Sequence, residues 1–83
     1  MNNMRASDRL LNLEGKYLEA SRDCEGNVMV CYRNADIKKG VGLLGVCGRG
    51  RTLEEACENY LELISGKTLV FNAFDNREEV FVL

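Results

Sequence analysis

The residues whose types and spacing could do chemistry crowd into Lys38–Ala56, "KKGVGLLGVCGRGRTLEEA". Gly40-Val41-Gly42-Leu43-Leu44-Gly45 matches the G-x-G-x-x-G spacing of dinucleotide sites, and Gly45–Thr52, "GVCGRGRT", is one substitution from the phosphate loop G-x-x-x-x-G-K-[ST]. Both motifs aim backbone amides at an anion at the start of a helix. The first needs a helix directly after Gly45 within a parallel βαβ unit, whereas Val46 and Cys47 continue an extended run. The second has its helix, but Arg51 stands where the lysine belongs. That helix also opens on Glu54 and Glu55, whose carboxylates compete for the same amides. What survives is a weaker anion site made of Arg49, Gly50, Arg51 and Thr52. Glycines in a strand equally serve a bulge, a strong twist or a helix lying close across the sheet, and that plainer reading is preferred.

Other chemistry is sparse. With no histidine, a general base at neutral pH would have to be a shifted carboxylate, lysine or cysteine. The four cysteines (Cys24, Cys31, Cys47 and Cys57) form no C-x-x-C pair, so a zinc site lacks its usual close-spaced ligands. In a reducing compartment they read as small buried hydrophobes, Cys57 most clearly. No catalytic constellation, metal site or cofactor motif is found, and a non-enzymatic chain is expected.

Eighty-three residues, 46% of them hydrophobic, make one domain over residues 1–83 with a modest core that self-association into a homo-oligomer would help. There is no proline, no apolar run of the ~18 residues a membrane span needs, and no apolar signal core in "MNNMRASDRL". A cytoplasmic, soluble chain without a membrane partner is expected. Residues 1–52 carry nine Lys/Arg against six Asp/Glu, and residues 53–83 carry two against seven. The halves are therefore +3 and −5, an asymmetry that makes them attract each other or marks two binding faces.

The elements that must position these residues follow from periodicity. "SDRLLNLEG" suits a short N-terminal helix with Ser7 as cap. "KYLEASRDCEGNVMVCYRN" reads as a hairpin turning at Asp23–Gly26, with Leu18 opposite Tyr32, Ala20 opposite Val30 and Arg22 opposite Val28. "ADIKKG" reads as a polar connection and "VGLLGVCG" as a third strand. Thr52-Leu53-Glu54-Glu55 is a capping box opening an amphipathic helix. Its apolar side gathers Leu53, Ala56, Cys57, Tyr60, Leu61, Leu63 and Ile64; Glu54, Glu58 and Glu62 line the opposite side; Gly66 ends it. "KTLVFNAF" and "EEVFVL" are two further strands. The expected class is α+β in the order (α)-β-β-β-α-β-β: an antiparallel sheet of about four to five strands with the main helix on one face.

Three resemblances bear on function. The element order, with "GRGRTLEEACENYLELI" as the final helix, resembles the double-stranded RNA-binding domain. That family places lysines where this chain has Glu54 and Glu55, so duplex nucleic acid is not an expected partner. Gly50-Arg51-Thr52-Leu53-Glu54-Glu55-Ala56-Cys57-Glu58-Asn59 is similar to a segment of HicB-type antitoxins, without that family's proline-bearing stretch. "GRGRTLEEACENYLELISGKTLVFNAF" resembles small proteins of phages and prophages of Gram-positive bacteria. With the small size, the absence of catalytic groups and the polarised charge, this last resemblance points to a phage accessory protein that binds a host or phage protein, such as a counter-defence inhibitor; the acidic helix face of Glu54, Glu58 and Glu62 is the expected docking surface. The alternatives are a nucleotide- or anion-sequestering protein using the Gly45–Thr52 corner, and a HicB-like antitoxin.

Overall fold

The computed structural model describes residues 4–82. The fold is α+β, with two helices and two antiparallel sheets among the described residues. Helix α1 (Ala6–Leu11) is followed by the strands β1 (Leu18–Arg22), β2 (Val28–Tyr32), β3 (Ala35–Lys39), β4 (Gly42–Leu44) and β5 (Gly48–Gly50). Helix α2 (Leu53–Ile64) comes next, then β6 (Thr68–Phe71) and β7 (Glu79–Val82). The first sheet has the order β1-β2-β5 and the second β4-β3-β6-β7.

The β1–β2 hairpin has the expected register, Leu18 opposite Tyr32 through Arg22 opposite Val28. The turn explains why. Asp23 Oδ1 accepts from the amides of Glu25 and Asn27, both at 2.9 Å, and Gly26 takes the φ of 85° that closes it. Val28, Val30 and Tyr32 are consequently buried on one face.

Two expected elements are different in the folded chain. The polar connection "ADIKKG" is β3, a central strand between β4 and β6. Ile37 points into the core while Lys38, on the opposite face, is exposed, and Lys39 is exposed at the end of the strand. The glycine-rich run is two strands rather than one. Gly40, at φ 60°, turns β3 into β4, and the chain then leaves for the other sheet, where β5 pairs with β2. The result, among the described residues, is seven strands in two sheets, with α2 packed on the first. The C-terminal strands β6 and β7 pair with each other within the chain.

A line of aromatic rings joins the sheets. Tyr32 of β2 meets Tyr60 of α2 at 5.8 Å between centroids and Phe71 of β6 at 5.6 Å, and Phe71 meets Phe81 of β7 at 5.7 Å. Lys16 lies over Phe71 and Phe81, at 4.8 and 5.0 Å, and bonds Glu79 at 2.7 Å. With only 8% of that side chain exposed, the ammonium ties the last strand to the chain before β1. The buried arc of α2 is narrower than expected: Ala56, Cys57, Tyr60, Leu61 and Ile64 are buried, while Leu53 and Leu63 are exposed.

Candidate functional site

The helix corner is built largely from its own bonds. Thr52 Oγ1 accepts from the Glu55 amide at 3.1 Å, and Glu55 Oε1 accepts from the Arg51 amide at 2.8 Å, one residue earlier than a capping box would place it. Asn59 Nδ2 donates to the Arg49 carbonyl at 2.6 Å, and the Arg49 guanidinium pairs with Asp23 at 3.2 Å. Burial pushes the Asp23 carboxyl up, but the Asn27 and Glu25 amides and Arg49 outweigh it and hold it below its ordinary value. Gly50 sits in the ladder opposite Val28, beneath α2. Of the four candidate anion ligands, Arg51 alone keeps a side chain without an ion pair or hydrogen bond among the described residues.

The acidic row on α2 is divided. Glu58 and Glu62 are exposed, beside a groove of about 360 Å³ that also touches Arg9 and Leu61. Glu54 has a structural task. Its Oε2 accepts from the Ala6 amide at 2.7 Å and its Oε1 from the Ser7 hydroxyl at 2.7 Å, so a carboxylate of α2 caps the N-terminus of α1. Arg5, at the cap position of α1, supplies no side-chain bond there. The hydrogen bond from Ser7 is the main reason the Glu54 carboxyl lies below its ordinary value of 4.5; the Ala6 and Ser7 amides add to it against burial. A depressed carboxyl stabilises the fold above its unfolded value, and that stabilisation fades as pH falls through the lower folded value. Acidification below about 4.5 is therefore expected to loosen α1 first, and Glu54→Gln to loosen it at neutral pH. Exchange of the α1 amides followed by NMR checks both; equal protection in the variant would remove Glu54 from this role.

The feature that sequence reasoning did not single out lies on the outer face of the second sheet. The rungs of β6 and β7 set Val70 opposite Val80 and Thr68 opposite Val82, while Leu69, Phe71 and Phe81 turn inward. Val80 and Val82 are 59% and 66% exposed. Val70 is buried yet stands apart from the core cluster, sheltered in an apolar groove of about 270 Å³ with Leu43, Phe74 and Val80. Phe74 is 95% exposed and has φ 64°, a conformation that strains a residue with a bulky side chain. The turn around it holds that pose. The Asn72 amide donates to the Asn34 carbonyl at 2.9 Å, and the Asp75 amide donates to the Asn72 carbonyl at 3.1 Å. On its other side Phe74 borders a polar hollow of about 470 Å³ with Asn34, Asp36, Asn72 and Arg77. The sequence signal was "EVFV", apolar at consecutive positions and so apolar on both faces of a strand.

Among the described residues no three Cys, Asp or Glu side chains are placed to hold a metal ion, and no helix is long and apolar enough to cross a membrane. No protein-family model, curated protein or solved structure matches the chain.

Proposed function

We propose that this chain works by binding another protein, through the outer face of the β4-β3-β6-β7 sheet with Phe74 as its anchor. The observation that carries the reading is that face itself. Val80 and Val82 leave apolar surface in water, and a strained turn holds an aromatic ring out beside them. Contiguous apolar surface with a polar rim is what an interaction site looks like, and buried aromatics supply most of the energy of such contacts. Lys38 and Glu78 border the groove and would give the contact its register. The similarity of the C-terminal half to phage and prophage proteins makes a bacterial host protein the first partner to seek, which fits a counter-defence role.

Glu58 and Glu62 are a separate face on α2, so the two surfaces can be tested against each other. The immobilised chain would be used to capture a partner from bacterial extract, and the affinity then measured with the purified partner. Phe74→Ser combined with Val80→Thr and Val82→Thr is expected to weaken binding by about 30-fold or more, the loss of one strong anchor of roughly 2 kcal/mol. The strands should keep their far-UV circular dichroism. Unchanged affinity in this variant, with loss in Glu58→Lys/Glu62→Lys, would move the site to the acidic helix.

A further inference from the structure

Two of the four cysteines, far apart in sequence, are brought together by the first sheet. The β2–β5 ladder pairs Val28 with Gly50, Met29 with Arg49 and Val30 with Gly48. One residue past the end of this ladder, the same register brings Cys31 to Cys47, and the two thiols lie within hydrogen-bond reach of each other. The type of that position follows from the neighbouring bonds. The Arg33 amide donates across to Tyr17 at 2.8 Å, on the β1 side, so odd-numbered residues of β2 bond toward β1. The Tyr32 amide turns the other way and donates to Tyr60 Oη at 3.0 Å. Val28 and Val30 thus share hydrogen bonds with β5, and the register continued one residue past Gly48 makes Cys31–Cys47 a non-hydrogen-bonded position. There Cα atoms stand about 4.5 Å apart, inside the ~4.4–6.8 Å range that a disulfide spans.

The two thiols differ in the way a reactive pair requires. Cys47 is exposed, and Cys31 is half-buried against the core with Glu19 opposite it on β1. Burial, then a hydrogen bond with Cys47, then the charges of Cys47 and Glu19 push the Cys31 thiol up to about 11. Capping the Cys47 sulfur as a neutral disulfide removes two of those causes, so the first reaction prepares the second.

We infer that Cys31 and Cys47 form a reversible dithiol–disulfide site, oxidised by small-molecule disulfides that enter at Cys47. The Cys47 thiolate attacks one sulfur of the reagent, forms a mixed disulfide and releases one reagent thiolate. Cys31 then loses its proton and attacks the Cys47 sulfur, closing the Cys31–Cys47 bond and expelling the second thiolate. Two electrons pass from the protein to the reagent, and the two protons lost from the cysteines end on the two released thiols. The bond closes the loop that carries β3 and β4, and so ties the β4–β3 half of the second sheet to the first.

The test uses the full chain carrying Cys24→Ser, because Cys24 would share a tryptic peptide with Cys31. Reduced protein is exposed to oxidised glutathione, its free thiols are alkylated, and the tryptic digest is weighed. Residues 23–33 should emerge joined to residues 40–49, two hydrogens lighter than the separate peptides, and a reducing agent should part them. Oxidation should raise the thermal midpoint by roughly 15 °C, as expected for a loop of this size in a small domain. The further change Cys47→Ser, at an exposed position, should abolish both the cross-link and the shift. Cys31 and Cys47 both alkylated after exposure, a glutathione adduct that persists on Cys47, or an equal thermal shift in the Cys47→Ser protein would each overturn the assignment.

Discussion

Gly48→Ala is expected to destabilise the domain by about 3 kcal/mol or more, at the upper end of the range for overpacking. A Cβ at this position would lie 2.5 Å from both Tyr60 Cβ and the Tyr60 amide nitrogen, and closer still to the Ala56 carbonyl oxygen. Those are backbone and near-backbone atoms of α2, which cannot step aside without lifting the helix from β5. Gly50→Ala is the companion case, 2.7 Å from the Ala56 amide and 2.8 Å from Glu55 Cβ. Gly42 is the control, since its nearest neighbour would be the Lys39 carbonyl at 3.8 Å. Gly42→Ala should stay within about 0.5 kcal/mol of the parent. Urea midpoints of the three variants check the set. A Gly48→Ala protein as stable as Gly42→Ala would show that helix and strand are not held at this distance.

Tyr60→Ala is expected to remove about 4 kcal/mol, and Tyr60→Phe about 2 kcal/mol. Two separate things are lost. The ring is buried against Tyr32, with its Cβ over Gly48, so its truncation opens a cavity between α2 and the first sheet. The hydroxyl accepts from the Tyr32 amide, which has run past the end of the β2–β5 ladder and has no strand partner there. Phenylalanine keeps the ring and orphans that amide, so hydrogen exchange at Tyr32 should quicken more than at Val30. Burial first, then neighbouring charge, pushes both Tyr32 and Tyr60 up to about 12, with the Tyr32 amide opposing the rise at Tyr60. A raised phenol stabilises the fold fully below its unfolded value near 10, and the contribution is lost as pH climbs from there toward 12. Tyr60→Phe should therefore lose less stability over that interval than the parent does, and a urea series from pH 9 to 12 would measure the difference.

Much of the fold was legible because it is local. The β1–β2 register follows from one turn, with Asp23 Oδ1 gathering two amides and Gly26 closing the circuit. The α2 boundaries follow from Thr52 and from the spacing of Ala56, Cys57, Tyr60, Leu61 and Ile64. The strand β3 was hidden because Asp36 on one side and Lys38 and Lys39 on the other flank its single strongly apolar residue, Ile37, and a three-residue strand such as β4 or β5 carries no period of its own. Of the candidate site residues, Arg49 and Glu54 took structural partners, Asp23 and α1, that lie 26 and 48 positions away for their closest contacts. No local pattern announces such pairings.

The amino-acid sequence by itself determined the class, the hairpin register and the capped helix; of the three uses it left open for the glycines near Gly50, the structure selects a helix lying close across a strand. Tertiary structure alone decided that one glycine-rich run serves two sheets, that Cys31 meets Cys47, and that Val80, Val82 and Phe74 are left facing water. The division has a physical cause. Turns and helix caps are closed by bonds between residues a few positions apart, so their energetics can be read within a short window. The partner of a short strand, and which of two apolar strand faces is covered, depend on the competition of distant segments for the same core.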